Sequence, residues 1–101
     1  MLFIKGGFVY IVTNPKHTVL YIGVTNNLKR RIGEHRDKIH PSSFTAKYNC
    51  VELVYYKGFP FITEAIGEEK RMKAGNRKQK IKLIQSMNPE WKDLWEDVKD
   101  W

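Results

Sequence analysis

A histidine and an arginine border the apolar face of the first predicted helix. In helical projection, His35 falls about 20° from Leu28, between Ile32 and Ile39, on the face expected to contact the core. Arg31 lies one helical turn before His35 and borders the same face. An imidazole can exchange a proton near neutral pH and a guanidinium can hold an anion, so this pair is suited to chemistry as well as to packing.

A glutamate occupies a similar position on a later predicted helix. Glu69 falls within about 60° of Ile62 and Ile66, whereas the adjacent Glu68 is predicted to point away from that apolar face. Burying a charged side chain is costly unless the charge is paired or bound to a ligand. Glu69 therefore needs a partner, and a structural ion pair with Arg31 is one alternative.

Five residues form one candidate site on the predicted sheet: Tyr10, Tyr21, Arg31, His35 and Glu69. Each has a structural interpretation when it is taken alone, the tyrosines as hairpin aromatics and the histidine as a hydrogen-bonded core residue. Taken together, hydroxyl, imidazole, guanidinium and carboxylate groups facing one small sheet indicate a catalytic site. Because no second carboxylate is obvious, a site that holds two metal ions is not expected.

The two tyrosines lie on a predicted β-hairpin. Residues 8–13 and 18–24 are rich in β-branched and aromatic side chains, and residues 14–17 between them are typical of a turn. A reversal centred between residues 15 and 16 places Tyr10 opposite Tyr21. A slip of one residue would move the two rings to opposite faces of the sheet.

The remaining predicted elements follow in the order helix, strand, helix, helix. The helices cover about residues 28–39, 64–73 and 78–87, and the third strand covers residues 50–56. Gly75 is expected to end the second helix. The order β-β-α-β-α-α predicts an α/β fold of the α+β type, in which a small antiparallel or mixed sheet of three strands is packed by helices.

An apolar stripe follows these elements near the C-terminus. It consists of Trp91, Leu94, Trp95 and Val98, which recur at helical spacing. Such a stripe most often belongs to the core, and a docking surface for a partner protein is the alternative.

Length and composition predict one small domain. The chain has 101 residues, of which 42% are hydrophobic and 13% aromatic, so we expect one domain over residues 1–101 with its core within about residues 7–98. No apolar run exceeds five residues, far short of the roughly 20 that a membrane helix needs. No signal peptide is predicted, and the single cysteine excludes an internal disulfide. These features predict a cytoplasmic protein without a membrane partner.

The positive charge is concentrated in two segments. The chain has 18 Lys+Arg against 11 Asp+Glu, a formal net charge of +7. Residues 29–38 contain five basic and two acidic side chains, residues 68–82 contain seven and two, and the residues after Asn88 are net acidic. Two basic helices are a candidate surface for phosphate groups, and a solvated helix face is the alternative. The candidate nucleic-acid contacts are Lys29, Arg30, Arg71, Lys73, Arg77, Lys78 and Lys80.

The order and spacing of these residues resemble the GIY-YIG nuclease domain. The matching features are Val9-Tyr10, Tyr21-Ile22-Gly23 and the segments 28–35 and 64–70. The resemblance covers nearly the whole chain and is closest to small stand-alone bacterial members, which are related to the N-terminal nuclease domain of the bacterial excinuclease. It implies a three-stranded antiparallel sheet flanked by helices, and cleavage of DNA phosphodiester bonds with one divalent metal.

The resemblance also implies a role for each candidate residue. Glu69 matches the family's metal ligand, and Arg31 matches the arginine that holds the scissile phosphate. Tyr10 matches the general base, Tyr21 positions water or phosphate, and His35 lies close to the attacking water. The expected metal is Mg²⁺, with Mn²⁺ as the alternative, because a hard cation can combine one carboxylate with several waters.

Two questions stay open at this point. A tyrosine whose pKa is near 10 is a poor base at neutral pH, so either nearby positive charge lowers the pKa of Tyr10 or His35 takes the proton. Val24 stands where excinuclease relatives have a lysine that assists at the site. The predicted function is a metal-dependent DNA endonuclease that acts on structured or damaged DNA, and the alternative is a nucleic-acid-binding module of the same fold with weak or no cleavage. RNA as a substrate, a protein partner, a separate targeting module and the oligomeric state are left open.

Overall fold

The computed structural model describes residues 6–101, and three antiparallel strands form its centre. Strands β1 (Gly7–Thr13), β2 (Leu20–Thr25) and β3 (Glu52–Phe59) lie in the order β2-β1-β3. The predicted α+β fold and the order of its main elements along the chain are therefore confirmed, and the sheet is antiparallel rather than mixed. Residues 1–5 lie outside the described residues. They include the start of the predicted domain and most of the N-terminal segment in which no signal peptide was predicted.

The hairpin register differs from the prediction by two residues. Tyr10 lies opposite Gly23 rather than Tyr21, and Tyr21 lies opposite Val12. The turn is longer than predicted because the Asn14 side chain accepts hydrogen bonds from the backbone N–H groups of residues 18 and 19, both at 2.9 Å, which keeps these two residues out of the strand. Since side chains alternate with a period of two, a shift of two residues leaves both tyrosines on the same face.

Helices cover both faces of the sheet. Helices α1 (Leu28–Asp37) and α5 (Trp95–Val98) pack on the face that carries Tyr10 and Tyr21. Helices α3 (Ile62–Ala74) and α4 (Arg77–Met87) pack on the opposite face. The buried core of the first face consists of Tyr10, Val12, Leu28, Ile32, Cys50, Leu53 and Val98, and that of the second face of Val9, Ile11, Ile22, Val54, Tyr55, Met72 and Ile84. The two predicted basic segments consequently lie on opposite sides of the sheet.

Helix α1 is shorter than its sequence predicts. Asn27 begins the helix by accepting a hydrogen bond from Arg30 N, and the helix ends at Asp37 because Lys38 adopts a left-handed conformation with φ 51°. Ile39 therefore lies beyond the helix and is 51% exposed, so its predicted place on the core face was wrong.

A short helix was not predicted at all. Helix α2 (Phe44–Lys47) lies between α1 and β3 and begins at Ser43, whose side chain accepts a hydrogen bond from Ala46 N. The strand that follows begins at Glu52 rather than Cys50 and runs three residues past the predicted end. A helix of four residues has too few positions to show a hydrophobic period, so only its serine cap signals it.

The outer edge of β3 is covered by side chains from the C-terminal segment. Asp93 Oδ1 accepts the backbone N–H of Leu53 at 3.1 Å, and Leu94 N donates to Leu53 O at 2.7 Å. Asn88, which is buried, donates to Val54 O at 3.2 Å. Arg36 Nη1 lies 2.6 Å from Asp93 Oδ2, so this edge is also tied to α1.

The C-terminal apolar stripe belongs to the core. Leu94 and Trp95 pack against the cluster that contains Val98, and Trp91 packs against the opposite cluster and stacks on His17 with ring centroids 5.0 Å apart. Within residues 6–101, no helix is long and apolar enough to cross a membrane.

Candidate active site

Tyr10 lies at the centre of the sheet and passes over a glycine of the neighbouring strand. The side chain is 2% exposed, and its ring covers Gly23. A Cβ atom at Gly23 would lie 2.8 Å from Tyr10 Cε2 and closer still to the hydroxyl oxygen. The glycine of the Tyr21-Ile22-Gly23 motif thus provides the space that the Tyr10 ring occupies.

His35 links this tyrosine to the segment that follows α1. Its Nε2 atom lies 2.8 Å from Tyr10 Oη, and its Nδ1 atom lies 2.9 Å from Oγ1 of Thr45. The His35 ring also contacts both tyrosine rings, with centroids 5.6 Å from Tyr10 and 6.0 Å from Tyr21. Three of the five predicted residues are therefore in direct contact.

Arg31 and His35 open onto a cavity of about 140 Å³. Tyr21 forms one wall, and Lys38, His40 and the segment 43–45 close the far side. Arg31 Nη1 lies 3.5 Å from Glu34 Oε1, and this pair is partly exposed. The cavity therefore presents guanidinium, ammonium and imidazole groups together with the Glu34 carboxylate and the Tyr21 hydroxyl.

Glu69 approaches from the other side of the sheet. Helix α3 packs against β1 and β2, and the Glu69 side chain is 16% exposed, with Oε2 3.0 Å from Lys73 Nζ. Glu69 does not line the cavity, but its charge is close enough to raise the pKa of Tyr10. Among the described residues, Arg31 pairs with Glu34 and Glu69 with Lys73, so the alternative ion pair between Arg31 and Glu69 is not formed.

Most of the Glu68 side chain is covered, as is that of Glu69, contrary to the prediction for Glu68. Its side chain is 11% exposed, and Arg71 donates to its carboxylate. Glu68 contributes to the raised pKa of Tyr55, which belongs to the core beneath α3 and α4. The two adjacent glutamates therefore face different parts of the sheet, Glu68 towards Tyr55 and Glu69 towards Tyr10.

Burial keeps both members of the Tyr10–His35 pair uncharged. Desolvation raises the pKa of Tyr10 far above its ordinary value, and the nearby Tyr21 and Glu69 raise it further, against a smaller opposite effect of Arg31. Desolvation and then the positive charge of Arg31 lower the pKa of His35 from 6.5 to about 4. At neutral pH the pair is thus a phenol and a neutral imidazole.

Aromatic side chains form an exposed stack beside the cavity. Phe44 of α2 stacks on Tyr21 with ring centroids 5.8 Å apart, and Tyr48 lies 4.7 Å from Phe44. Phe44 and Tyr48 are 47% and 45% exposed, and Lys47 Nζ lies 5.9 Å from the Tyr48 ring centroid. Sequence reasoning missed this feature because it assigned residues 41–49 to a loop.

The donor set near Tyr10 fits a hard divalent cation that keeps most of its water. No group of three or more His, Cys, Asp or Glu side chains that could hold a metal occurs within residues 6–101. The Glu69 carboxylate is mostly buried and is neutralised by an ammonium group that is itself half exposed. Such a carboxylate can exchange its ammonium partner for a cation that takes its other ligands from water and phosphate. Val24 lies opposite Val9 on the face covered by α3. Because this position holds a valine, it places no lysine near the Glu69 carboxylate.

The predicted nucleic-acid contacts are exposed or partly exposed, and most of them have partners within the chain. Lys29 donates to the carbonyl oxygen of Trp101, and Arg77 donates to that of His17. Arg30, Arg71 and Lys73 pair with glutamates of their own helices. Lys78 and Lys80 lie on α4, with Lys80 beside a groove between α3 and α4.

Comparison with known proteins confirms the resemblance. The family profile of the GIY-YIG catalytic domain matches residues 6–82. A UPF0213 protein of Oceanobacillus iheyensis is 38% identical over 87 residues, which cover 82% of this chain and 94% of the relative. A UPF0213 protein of Clostridium perfringens is 38% identical over 79 residues, 78% of this chain and 83% of the relative.

A solved structure is similar in fold. The solution NMR structure of a UPF0213 protein from Bacillus halodurans superimposes with a TM-score of 0.55 at 25% identity, covering 87% of this chain and 92% of that chain. The profile match and these similarities each cover most of the chain. The chain therefore belongs to the GIY-YIG family of nucleases.

Proposed function

We propose that the protein is a metal-dependent endonuclease that hydrolyses phosphodiester bonds in DNA. The observation that carries this proposal is the hydrogen bond between Tyr10 and His35, because the His35 ring lines a cavity together with Arg31. The attack of water on a phosphate diester requires a proton acceptor and, next to it, a positively charged group such as the Arg31 guanidinium. The net charge of +7 favours a polyanionic substrate.

Arg31 is suited to hold the scissile phosphate. Its guanidinium is partly exposed at the cavity, and Lys38 and His40 lie along the same opening. A planar guanidinium can donate two parallel hydrogen bonds to a phosphate and can stabilise the charge that develops on it. The weak pair with Glu34, at 3.5 Å, can be exchanged for the stronger contact with phosphate.

The proton of the attacking water passes to His35 through Tyr10. Burial disfavours a Tyr10 phenolate, so the structure supports a relay in which Tyr10 Oη takes a proton from water and gives its own proton to His35 Nε2. Because Arg31 lowers the pKa of His35, a phosphate bound to Arg31 would raise the pKa of His35 and improve it as an acceptor. Tyr21 lies beside both groups at the cavity wall and positions the water or the phosphate.

Glu69 would hold the metal, most simply Mg²⁺, with Mn²⁺ as a substitute. When bound, the cation supplies positive charge to the phosphate oxygens in the transition state. Glu69 provides one carboxylate for this purpose, and Lys73 must leave it as the cation binds. A role as metal ligand explains why the charged Glu69 side chain of α3 is mostly covered next to the sheet.

The surface around the cavity is suited to nucleic acid. Exposed rings of Phe44 and Tyr48 can stack on bases, and Lys47 places a cation beside them. The lysines of α4 lie on the opposite face of the sheet, so they contact the same molecule only if it passes around the sheet edge.

Nicking of supercoiled plasmid, with and without Mg²⁺ or Mn²⁺, tests this function. We expect metal-dependent nicking that Glu69→Ala and Arg31→Ala abolish and that Tyr10→Phe slows by roughly 10²-fold or more. The controls Glu90→Ala and Lys92→Ala remove one negative and one positive charge from exposed positions outside the site and should retain activity. Unchanged nicking by Glu69→Ala would contradict the metal site. Binding without cleavage, across both metals and across duplex, flap, junction and damaged DNA, would instead favour a nucleic-acid-binding module.

A further inference from the structure

Thr45 forms the end of a hydrogen-bonded chain that starts at the catalytic tyrosine. It is 4% exposed, lies in α2, and has its Oγ1 atom 2.9 Å from His35 Nδ1. The other imidazole nitrogen lies 2.8 Å from Tyr10 Oη. The segments that carry the GIY-YIG resemblance include neither Thr45 nor its helix.

A neutral imidazole has one nitrogen that donates and one that accepts, so the two hydrogen bonds of His35 must run in opposite senses. If Nδ1 carries the proton, it donates to Thr45 and Nε2 accepts from Tyr10. If Nε2 carries the proton, it donates to Tyr10 and Thr45 donates to Nδ1. Only the first arrangement leaves Nε2 able to receive a proton from Tyr10.

The surroundings of Tyr10 favour the first arrangement. Its hydroxyl is buried, and within residues 6–101 no acceptor other than His35 lies within hydrogen-bond distance of it. Donation to Nε2 satisfies this buried phenol, which would otherwise lose about 1–3 kcal/mol, so Tyr10 favours the first arrangement and acts together with the partner on Nδ1.

The surroundings of Thr45 are compatible with the same arrangement. Ser43 Oγ lies 3.3 Å from Thr45 Oγ1, so Thr45 can donate to Ser43 while its own oxygen accepts from His35. The helix holds this threonine in place because Ser43 caps it and Cys50 N donates to Thr45 O at 2.8 Å.

We propose that Thr45 is a positioning residue that holds His35 in the tautomer protonated at Nδ1, which leaves Nε2 to receive the Tyr10 proton. In the reaction, the bond between Tyr10 Oη and its hydrogen breaks as Nε2 takes the proton, and Oη takes a proton from the attacking water. His35 becomes an imidazolium that still donates from Nδ1 to Thr45. The effect of Thr45 on cleavage rests on the proposed nuclease function. The assignment of the His35 tautomer does not depend on that function.

Nitrogen-15 NMR of the histidine rings tests the tautomer without any substrate. His17→Gln and His40→Gln variants assign the signals, since the chain has 3 histidines. We expect wild-type His35 to show protonated Nδ1 and unprotonated Nε2 at pH 7, and Thr45→Val to shift the population towards protonated Nε2. Thr45→Ser, which keeps the hydroxyl, should keep the wild-type signature. Thr13→Val is the matched control, since it removes another buried threonine hydroxyl, one that donates to Val19 O at 2.7 Å.

Cleavage rates provide the second measurement. Thr45→Val should slow nicking roughly tenfold or more, less than the roughly 10²–10⁴-fold expected from losing the proton acceptor itself, and Thr45→Ser should restore most of the rate. Wild-type His35 protonated at Nε2, or an unchanged tautomer in folded Thr45→Val, would overturn the proposal. If Thr45→Val does not fold, the wild-type and Thr45→Ser spectra still decide the tautomer. The expected spectra in a protein that cleaves no nucleic acid would support the tautomer and contradict the nuclease function.

Discussion

Tyr10 Oη lies 2.8 Å from His35 Nε2, and this hydrogen bond joins the middle strand of the sheet to α1. Each partner has a pKa that moves away from neutrality, Tyr10 upwards and His35 downwards, because both are buried. The pair is therefore stable as two neutral groups, and a proton crosses it only when the surrounding charge changes. A phosphate at Arg31 is such a change, which couples proton transfer to substrate binding.

Gly23→Ala should displace the Tyr10 ring. The added methyl group would overlap the ring and hydroxyl, so we expect a loss of about 1–3 kcal/mol in the free energy of unfolding and a large loss of cleavage. Urea unfolding and plasmid nicking measure the two effects.

Gly67→Ala is the matched control. A Cβ at Gly67 meets nothing within 4 Å, and the residue lies inside α3, so alanine should stabilise the protein by about 0.4–1 kcal/mol. Equal changes in stability and cleavage for Gly23→Ala and Gly67→Ala would mean that the position of the Tyr10 ring does not depend on the space at Gly23.

Acid should destabilise the protein through His35 between pH 6.5 and about pH 4. The pKa of His35 is about 4 in the folded protein, below its ordinary value of 6.5, so the unfolded chain binds the extra proton in this interval and stability falls as pH falls. After allowing for the part of the ring that solvent reaches, we expect a loss of roughly 1–2 kcal/mol from pH 7 to pH 4.5. The charged and titratable groups around the ring are Arg31, Glu34, His40, Tyr10 and Tyr21.

The contribution of His35 is isolated by comparing variants. His35→Gln should flatten the decrease in stability between pH 6.5 and 4.5, because glutamine does not titrate, whereas His40→Gln at an exposed position should not. Parallel curves for wild type and His35→Gln would show that the histidine is not held neutral.

Much of this arrangement can be predicted from the sequence, and the exceptions have physical reasons. The helical period predicted that His35 faces the core, and the structure places it against Tyr10 of the sheet. The period could not show that Lys38 adopts a left-handed conformation after α1 and exposes Ile39, or that most of the Glu68 side chain is covered on α3. Local side-chain contacts decide such features.

The hairpin register and α2 depend on single side chains rather than on patterns. The Asn14 amide extends the turn by two residues, and Ser43 begins a helix of four residues. The residues that complete the candidate site, Thr45 and Phe44, lie in that helix. Function was predicted mainly from motif spacing, whereas the contacts that orient His35 became visible only in three dimensions.

Asp93→Ala should strongly destabilise the fold. The carboxylate accepts backbone N–H groups of Leu53 and Trp95, each at 3.1 Å, and pairs with Arg36. Alanine leaves the buried Leu53 N–H without this acceptor and removes the ion pair of Arg36. We expect a loss of about 2–4 kcal/mol in urea unfolding. Glu96→Ala removes an exposed pair with Lys99 and should change stability by no more than about 0.5 kcal/mol. Similar losses for the two variants would contradict the role of Asp93.

Reversing charge on α4 should weaken nucleic-acid binding if the substrate reaches that face. For Lys78→Glu with Lys80→Glu, we expect weaker binding to all sequences, and a salt dependence whose log–log slope is shallower by about 2. Lys92→Glu with Lys99→Glu changes the net charge equally in the acidic C-terminal segment and is the control. Equal weakening by both pairs would mean that only net charge matters, and no effect would make the α4 lysines a solvated face.

Phe44→Ala should weaken binding of nucleic acid near the cavity. Loss of one stacking ring costs about 1–3 kcal/mol, so we expect an affinity about 5- to 150-fold lower. Phe61→Ala removes a phenylalanine of similar exposure at the start of α3, away from the cavity, and should leave the affinity unchanged. Titration with fluorescently labelled DNA measures both, and equal losses would contradict stacking on Phe44.

The cover over the edge of β3 also bears on self-association. An uncovered strand edge offers unpaired N–H and C=O groups that another chain can extend into a larger sheet. Here Asp93 and Leu94 use the N–H and C=O of Leu53, and Asn88 uses the C=O of Val54. Because these residues follow β3 in the chain, the edge stays open during synthesis until they have emerged from the ribosome. Once they are in place, the residues after α4 occupy groups that a second chain would otherwise pair with.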